Sequence, residues 1–434
     1  MLKHLREKIL QKKVKIGVMG LGYVGLPLAV DFAKKGFKVY GMDVDKDRIE
    51  RLRKGRSYIL DVPTADIVKV IKNKMLTVTT NMGVIKKLDA IIICVPTPLD
   101  KAKEPDMSYI ISAVESIAKY MRRGQIITLE STTYPGTTEE VMLPVLESHG
   151  LKEGKDFYLA FSPERIDPGN KDYKTQNTPK ILGGMSKEST EIAKLLYEQA
   201  IETVIPVSSP GVAEMIKLLE NTFRIVNIGL VNEIMLMCDE MGINVWEVID
   251  GAKTKPYGYM AFYPGPGVGG HCIPVDPLYL SWKARMRGFE ARFIDLASQI
   301  NSEMPHYVVS KTADALNSRG KPLKDSKILI MGVAYKKDVK DLRESPALEI
   351  IDILLKKCAL VSYYDPYLPY LKIHGLNLKC AGFNKKAFKN SDCVVIVTDH
   401  SNVDYKLVAK NSRLIVDTRN VLKDIKDRKN IIRI

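Results

Sequence analysis

Short apolar runs alternate with helical patterns in the first part of the chain. Val14–Met19 is rich in β-branched residues and is bounded by charge and glycine, which predicts a strand. A helical pattern follows and stops at Gly36, and Phe37–Met42 predicts a second strand. Further strands are predicted at Thr77–Thr79, Ala90–Val95, Gln125–Leu129 and Phe157–Ala160. This alternation is typical of a doubly wound parallel sheet.

The pattern becomes helical in the middle of the chain and then alternates again. Ser209 and Pro210 supply a cap and a first helical residue, and helical periodicity continues to about Met241. A second helical stretch runs from Asp276 to about Ala315. Later strands are predicted at Lys327–Val333, Ala359–Tyr364, Val394–Thr398 and Leu414–Asp417, with a helix at Leu348–Lys356. We therefore predict an α/β protein with two Rossmann-like doubly wound domains (1–208 and 316–434), joined by an all-α middle domain with a long helix (209–315).

Composition and charge narrow the possible partners. With 434 residues, 45% of them hydrophobic, the chain can bury more than one core and is not expected to be disordered. The net charge of +15 would suit nucleic acid, but the lysines are scattered among acids, so we expect no nucleic-acid partner. A positive field suits an anionic small substrate equally well.

The sequence does not have the pattern of a membrane or exported protein. Ala90–Pro98 is too short to span a bilayer, and Ile225–Cys238 is interrupted by polar residues. Lys3 and Arg6 stand where a signal peptide would be apolar, so we expect a cytoplasmic protein without membrane contact. The six cysteines form no C-x-x-C pair, and we predict neither a disulfide framework nor a metal site.

A glycine-rich turn follows the first strand and opens the first helix of the sheet. The turn reads Gly20-Leu21-Gly22-Tyr23-Val24-Gly25. Gly20 permits the tight turn, Gly22 lets the backbone approach a pyrophosphate, and Gly25 allows close helix–strand packing. Asp43, 18 residues after Gly25, would hold the adenosine ribose hydroxyls and repel a 2′-phosphate. This favours NAD, although Arg48 leaves NADP open, and the alternative is a tight turn that binds nothing.

A second loop, Phe262–Leu280, combines glycine and proline with two reactive side chains. Its four glycines and three prolines before Asp276 exclude regular helix and let backbone N–H groups reach a ligand. Cys272, once activated, would attack a carbonyl carbon. The alternative is that Cys272 is one more buried thiol.

Two other segments carry candidate catalytic groups. Glu214, Lys217 and Asn221 lie on one helical face, where the lysine and the amide would stabilise an oxyanion. Taken alone, this face could instead be solvated. Glu164 follows a strand, at the edge of an α/β sheet where ligands bind.

Taken in order, seven motifs carry a resemblance to a known family. They are GLGYVGLPLA, CVPTPLD, ESTTYPGTT, FSPERIDPGN, EMIKLLENTFR, GPGVGGHCIPVDP and GVAYKKDVKDLRESP. In these motifs the chain resembles the nucleotide-sugar 6-dehydrogenases, the family that includes UDP-glucose dehydrogenase. FSPERIDPGN and PGPGVGGHCIPVDP suggest the branch that oxidises UDP-N-acetylglucosamine. The resemblance implies two successive NAD-dependent oxidations at C6 of a UDP-sugar, in a homodimer formed through the middle domain.

The resemblance also implies a role for each matching residue. Cys272 would form a thiohemiacetal and then a thioester, and Glu164 would be the general base of hydrolysis. Lys217 and Asn221 would lie near the reacting oxygen, and Asp276 and Thr133 would organise the catalytic water. The cofactor would contact Gly20, Gly22, Tyr23, Val24, Gly25, Asp43, Arg48, Thr97, Thr133 and Arg343. The substrate would contact Arg165, Lys217, Asn221, Tyr263, Gly269 and Lys336.

Several alternatives stay open. UDP-N-acetylmannosamine and UDP-glucose are possible substrates, although the UDP-glucose enzymes carry a second glutamate where this chain has Asp167 and Pro168. A two-electron hydroxyacid dehydrogenase also combines a glycine turn with Lys-x-x-x-Asn, but it has neither the cysteine loop nor a third domain. A non-catalytic nucleotide sensor would not need Cys272, Lys217 and Glu164 together.

Overall fold

The computed structural model describes residues 1–59, 61–100, 102–166, 172–373, 375–426 and 429–434. These residues form two compact units. The first comprises Met1–Glu220 and Leu278–Phe289, and the second comprises Asn221–Pro277 and Glu290–Ile434.

An eight-stranded sheet forms the centre of the described part of the first unit. Its strands are β1 (Lys15–Met19), β2 (Lys38–Met42), β3 (Leu76–Thr79), β4 (Ala90–Ile93), β5 (Gln125–Leu129), β6 (Phe157–Phe161), β7 (Lys180–Gly184) and β8 (Val204–Val207). Their order is β3-β2-β1-β4-β5-β6-β7-β8. All neighbouring strands are parallel except β6 and β7, which are antiparallel. The order reverses between β1 and β4, and the carboxyl ends of strands at such a reversal form a ligand-binding crevice.

Helices pack on both faces of this sheet. They are α1 (Leu2–Leu10), α2 (Gly25–Lys34), α3 (Lys46–Arg53), α4 (Thr64–Lys72), α5 (Ser108–Tyr120), α6 (Leu143–Glu147) and α7 (Lys187–Tyr197), with a 3₁₀ turn at Met82–Lys87 and a π turn at Thr138–Met142. Successive residues of β4 point to opposite faces, so Ala90 and Ile92 join one apolar core while Ile91 and Ile93 join the other. Burial on both faces explains why this strand is a continuous apolar run.

The second unit contains long helices and a smaller parallel sheet. Its helices are α8 (Pro210–Glu240), which begins in the first unit, α9 (Val245–Ala252), α10 (Asp276–Met286), which continues into the first unit, α11 (Arg292–Asn317), α12 (Pro346–Lys356), α13 (Lys385–Asn390) and α14 (Tyr405–Asn411). Its strands are β9 (Lys327–Met331), β10 (Leu360–Tyr364), β11 (Tyr370–Ile373), β12 (Leu376–Lys379), β13 (Cys393–Ile396), β14 (Ile415–Asp417) and β15 (Ile431–Arg433). The parallel sheet has the order β10-β9-β13-β14-β15, and β11 and β12 form an antiparallel pair.

The fold class predicted from the sequence is confirmed, with a mostly parallel sheet in the first unit, a parallel sheet in the second and a helical region between them in the chain. Each predicted strand is present, with ends shifted by one or two residues. The predicted helical stretch 276–315 is two helices, because the chain turns at Gly288 with φ +76° between α10 and α11. Five observed strands were not predicted, namely β7, β8, β11, β12 and β15. Of these, β8 is a short edge strand that contains Pro206. Within the described residues, every helix is too short or too polar to cross a membrane.

Candidate functional site

The glycines of the β1–α2 turn are needed for different structural reasons. A Cβ at Gly20, where φ is +87°, would lie 2.4 Å from the carbonyl oxygen of Cys94, and one at Gly25 would lie 1.9 Å from that of Gly20. Backbone packing therefore requires glycine at both positions. A Cβ at Gly22 would meet no described atom within 4 Å. Gly22 thus leaves open space where a pyrophosphate would approach the backbone.

The start of α2 and the end of β2 complete this turn. Val24 precedes α2 and has no polar side-chain atom to cap it. In the first turn the Leu26 N–H donates to the carbonyl of Gly22 at 3.1 Å and Pro27 has no N–H, so the helix terminus offers a ligand its positive potential rather than a row of amides. Asp43 is buried and accepts backbone hydrogen bonds from Leu21 (2.8 Å) and Asp45 (2.9 Å), while Arg48 Nη1 lies 3.4 Å from its Oδ2. The space at Gly22, the helix terminus without a side-chain cap and the anchored carboxylate fit a dinucleotide.

Glu214 closes the turn that follows Thr133. Its buried carboxylate accepts hydrogen bonds from Gly136 N (2.6 Å), Thr138 N (3.0 Å) and Thr138 Oγ1 (2.7 Å). Burial raises the pKa of Glu214, and the hydrogen bonds from Thr138 and Gly136 offset part of that rise. Thr133 Oγ1 lies 2.7 Å from Thr137 Oγ1 in the same turn. A side chain of α8 therefore fixes the turn that carries Thr133.

The face of α8 that carries Glu214, Lys217 and Asn221 is buried. Their exposed fractions are 0%, 9% and 5%. The alternative of a solvated face is therefore wrong. In the segment after β4, Thr97 is held through its carbonyl oxygen, which accepts a 2.9 Å hydrogen bond from Tyr279 of α10.

Glu164 and Arg165 lie just after β6. Glu164 Oε1 accepts 2.7 Å hydrogen bonds from the N–H groups of Arg165 and Ile166. Its Oε2 is buried and accepts no hydrogen bond from the described residues. The Arg165 guanidinium pairs with Glu220 at 2.6 Å and donates to the carbonyl of Pro179 at 2.7 Å. Asp167 and Pro168 lie outside the described residues.

The cysteine loop belongs to the second unit and packs against the segment that follows β9. Gly270 N donates to the carbonyl of Arg343 at 3.0 Å. A Cβ at Gly269 would lie 2.8 Å from both Tyr335 Cβ and the carbonyl oxygen of Glu344. Glycine at 269 therefore allows contact with the segment that also carries Lys336. The Arg343 guanidinium is itself paired with Asp341 at 2.6 Å.

Cys272 lies at the start of α10, next to a buried polar pair. Its carbonyl oxygen accepts the Asp276 N–H at 2.8 Å, and the residue is half-buried. Asn221 Nδ2 donates to Asp276 Oδ2 at 2.5 Å, with both side chains buried. The second unit thus brings together Cys272, Asn221 and Asp276. Tyr263 lies apart, donating to Asp250 at 2.8 Å and stacking on Trp246.

Sequence reasoning missed Asn232, which anchors the cysteine loop. Its Oδ1 accepts the Gly265 N–H at 2.9 Å, and its Nδ2 donates to Asn301 at 2.8 Å. The available signal was its spacing, since Asn232 lies three turns after Asn221 on the same face of α8.

His400 was also missed, and it acts with Asp365 at the end of β10. Asp365 Oδ2 accepts hydrogen bonds from Val333 N (2.8 Å), Ala334 N (3.1 Å) and His400 Nε2 (3.0 Å), while His400 Nδ1 accepts the Asp338 N–H. Burial opposes ionisation of Asp365, but the hydrogen bonds outweigh it and lower its pKa. Asp365 holds the turn after β9 as Asp43 holds the turn after β1. The signal was the aspartate that ends the predicted strand.

The glycine turn, the helix terminus without a side-chain cap and the anchored Asp43 carboxylate are those of a dinucleotide-dependent oxidoreductase. Among the described residues, no group of three or more His, Cys, Asp or Glu side chains is placed to hold a metal ion.

The chain matches three domains of the UDP-glucose/GDP-mannose dehydrogenase family: the NAD binding domain over 14–201, the central domain over 211–303 and the UDP binding domain over 329–424. It belongs to this family and is an NAD-dependent nucleotide-sugar dehydrogenase. It is 37% identical to the UDP-N-acetyl-D-mannosamine dehydrogenase of Methanococcus vannielii, covering 97% of this chain and 95% of that one. It is also 37% identical to the UDP-N-acetyl-D-glucosamine 6-dehydrogenase of Pseudomonas aeruginosa, covering 96% and 97%. The solved UDP-N-acetyl-mannosamine dehydrogenase structure from Pyrococcus horikoshii superposes with a TM-score of 0.88 at 35% identity, covering 96% and 98%.

Proposed function

We propose that the protein oxidises the C6 hydroxyl of a UDP-N-acetylhexosamine to the carboxylate. The sequence motifs favour the glucosamine epimer, while two of the three relatives described above are named for mannosamine. We therefore take UDP-N-acetylmannosamine as the first substrate to test and UDP-N-acetylglucosamine as the second. The observation that carries the proposal is the position of Cys272 beside the buried Asn221–Asp276 pair, on a loop that packs against the Lys336 segment.

The chemistry needs a hydride acceptor, a nucleophile and a base. Bound NAD supplies the hydride acceptor, and two equivalents are consumed per sugar. In the first oxidation carbon C6 loses a hydride and its hydroxyl loses a proton, which gives an aldehyde. The Cys272 thiolate adds to its carbonyl carbon, forming a C–S bond and a thiohemiacetal. Loss of a second hydride and proton leaves a thioester.

Hydrolysis then releases the product. Water attacks the thioester carbon, the C–S bond breaks, and the thiolate of Cys272 leaves. Glu164 takes the proton of the attacking water, while Thr133 and Asp276 orient that water. The Lys217 ammonium and the Asn221 amide stabilise negative charge on the C6 oxygen. Overall, one alcohol, two NAD⁺ and one water give one carboxylate, two NADH and three protons.

Further residues bind the two ligands in this proposal. Asp43 and Arg48 hold the adenosine end of NAD, with Tyr23, Val24, Thr97, Thr133 and Arg343 along the rest. The substrate is bound by Arg165, Tyr263, Gly269 and Lys336. The cationic groups of Arg165 and Lys336 suit a diphosphate.

We also propose the three-domain division 1–208, 209–315 and 316–434, with a homodimer formed through the middle domain. The apolar side chains that α8 exposes support this interface. They include Phe223 (45% exposed), Leu230 (54%) and Met237 (47%).

The test counts electrons. A limiting amount of each UDP-N-acetylhexosamine, with excess NAD, should give two NADH per sugar and the uronate by mass spectrometry. One NADH per sugar would mean that the reaction stops at the aldehyde. No NADH from either epimer would contradict the substrate class and lead to UDP-glucose, tested in the same way.

Two cysteine variants, one of them a control, test the covalent step. Cys272→Ala should abolish acid formation while circular dichroism stays unchanged. Cys358→Ala, at an exposed cysteine, is the matched control and should keep wild-type activity. Undiminished acid formation by Cys272→Ala would exclude the thioester route.

A further inference from the structure

A buried charge cluster lies beside Glu164 in the first unit. Lys180, the first residue of β7, is 4% exposed, and its Nζ lies 3.0 Å from Oε2 of the fully buried Glu130. The Tyr197 hydroxyl donates to the other oxygen of Glu130 at 2.5 Å. Glu130 directly follows β5, and Tyr197 is the last residue of α7.

The antiparallel direction of β7 explains why Lys180 is there. Phe161 of β6 pairs with Gly183 of β7, and continuing that register by three residues sets Lys180 opposite Glu164. A parallel β7 would begin at the other edge of the sheet, away from the ligand-binding ends of the strands. Lys180 Nζ lies 3.9 Å from Glu164 Oε2, the buried oxygen that accepts no hydrogen bond from the described residues.

Few other charged groups surround Lys180 and Glu164 among the described residues. Burial alone would lower the pKa of Lys180, but Glu130 and Glu164 more than offset it, so the ammonium stays charged. Burial raises the pKa of the neighbouring Cys94 thiol well above its usual value, so that thiol stays neutral. The Arg165 guanidinium is directed to Glu220. Lys180 is therefore the cation that faces Glu164 Oε2 among the described residues.

Stability alone does not account for this cluster. A buried ion pair is often no more stabilising than apolar side chains of the same volume, because its desolvation offsets the attraction. Placement at the ligand-binding edge of the sheet, next to an oxygen that accepts no hydrogen bond from the described residues, points to a role in the reaction.

We propose that Lys180 is a positioning residue for hydrolysis of the thioester. Held by Glu130 and by the ring of Tyr197, its ammonium attracts Oε2 of Glu164 and orients the carboxylate to take the proton of the attacking water. The inference rests on the proposed function, in which Glu164 is the general base.

The experiment isolates the hydrolytic half of the reaction. Full-length wild type and variants are mixed with NAD and whichever UDP-N-acetylhexosamine is turned over. NADH release is followed by stopped flow, and the covalent adduct is followed by intact mass. Lys180→Met alone would leave Glu130 buried without its cation and could prevent folding. The main variant is therefore Glu130→Gln/Lys180→Met, which removes both charges together.

The double variant should give a normal burst of two NADH per active site and then turn over at least about tenfold more slowly. The thioester adduct should accumulate, and KM should change little. Lys180→Arg should recover most of the rate. Lys8→Met is the matched control, because it removes a cation from buried Asp89, which keeps Arg122, and it should behave as wild type.

A separate variant distinguishes the two proposals. Glu164→Gln should accumulate the same adduct. Failure to do so would contradict the role of Glu164 and, with it, the inference. If Glu164→Gln accumulates adduct but the double variant turns over normally, the role of Lys180 alone is overturned. A general loss of activity in the double variant, with no accumulated adduct, would also overturn it.

Discussion

Replacing Glu214 with glutamine should destabilise the first unit far more than removing an exposed carboxylate nearby. The buried carboxylate accepts three hydrogen bonds, from the N–H of Gly136 and from the N–H and hydroxyl of Thr138. In the variant, the carboxamide oxygen can keep both Thr138 contacts, but the NH₂ group then faces the Gly136 N–H. One hydrogen bond to a charged acceptor is lost, and a buried donor loses its partner.

The expected loss follows from that arrangement. A hydrogen bond to a charged group contributes about 1.5–3 kcal/mol, and a buried donor left unsatisfied costs about 1–3 kcal/mol. These two descriptions overlap, and the variant also relieves the desolvation cost that raises the pKa of Glu214, so we expect a net total of about 2–4 kcal/mol. For a unit of this size, each kcal/mol lowers Tm by about 2–4 °C. The melting transition that contains this unit should therefore fall by roughly 5–15 °C.

The matched control is Glu140→Gln. Glu140 lies in the same segment and pairs with Lys283 (2.5 Å) and Arg287 (3.2 Å), but its side chain is 44% exposed. Such pairs contribute about 0–1 kcal/mol, so this variant should lose less than about 1 kcal/mol.

Calorimetry of the full-length proteins measures both losses. Hydrogen exchange then locates the first, because the amides of Gly136 and Thr138 should exchange faster in Glu214→Gln than in the control. Equal losses in the two variants, or unchanged exchange at those amides, would refute the reasoning from buried hydrogen bonds.

Three further predictions follow from the same contacts. Gly22→Ala should fold normally but bind NAD at least about tenfold more weakly by calorimetry. Gly25→Ala should lose stability, because its Cβ meets a carbonyl oxygen, and equal stability of the two variants would contradict this. Asn221→Ala should lower kcat by about tenfold or more with little effect on KM, and an unchanged kcat would exclude its assigned role. The lowered pKa of Asp365 means that its ionised form stabilises the fold fully above its ordinary value of 3.8, and that this contribution is lost as pH falls through the lowered value. The deficit of Asp365→Asn in urea should thus be largest near pH 7 and shrink below about pH 4, and a constant deficit would contradict the sign.

The sheets and the cofactor turn were predictable because their signals are local. Val14–Met19 and Ala90–Ile93 are apolar runs that can only be buried, and the glycine turn lies between a strand and a helix. The cysteine loop was equally predictable, since glycine and proline exclude helix before Asp276. The two-residue errors at strand ends arise because pairing, rather than composition, decides where a strand stops.

The burial of Glu214 was not predictable in the same way. A glutamate on a helix normally faces solvent, and its three donors come from a turn more than 70 residues earlier. Asn232 and His400 likewise have partners that are distant in sequence. Asparagine and histidine are residue types that form buried hydrogen bonds, but only the folded chain shows which residue is the partner of each.

By itself, then, the sequence determined the alternation of strands and helices, the glycines of the cofactor turn and the position of Cys272 on a rigid loop. These depend on backbone sterics and on burial within a few neighbouring residues. Tertiary structure alone decided that β7 runs antiparallel to β6 and so sets Lys180 against Glu164. The direction of a strand depends on how the whole sheet is assembled, because the residues of the strand alone do not decide whether it pairs parallel or antiparallel with its neighbour.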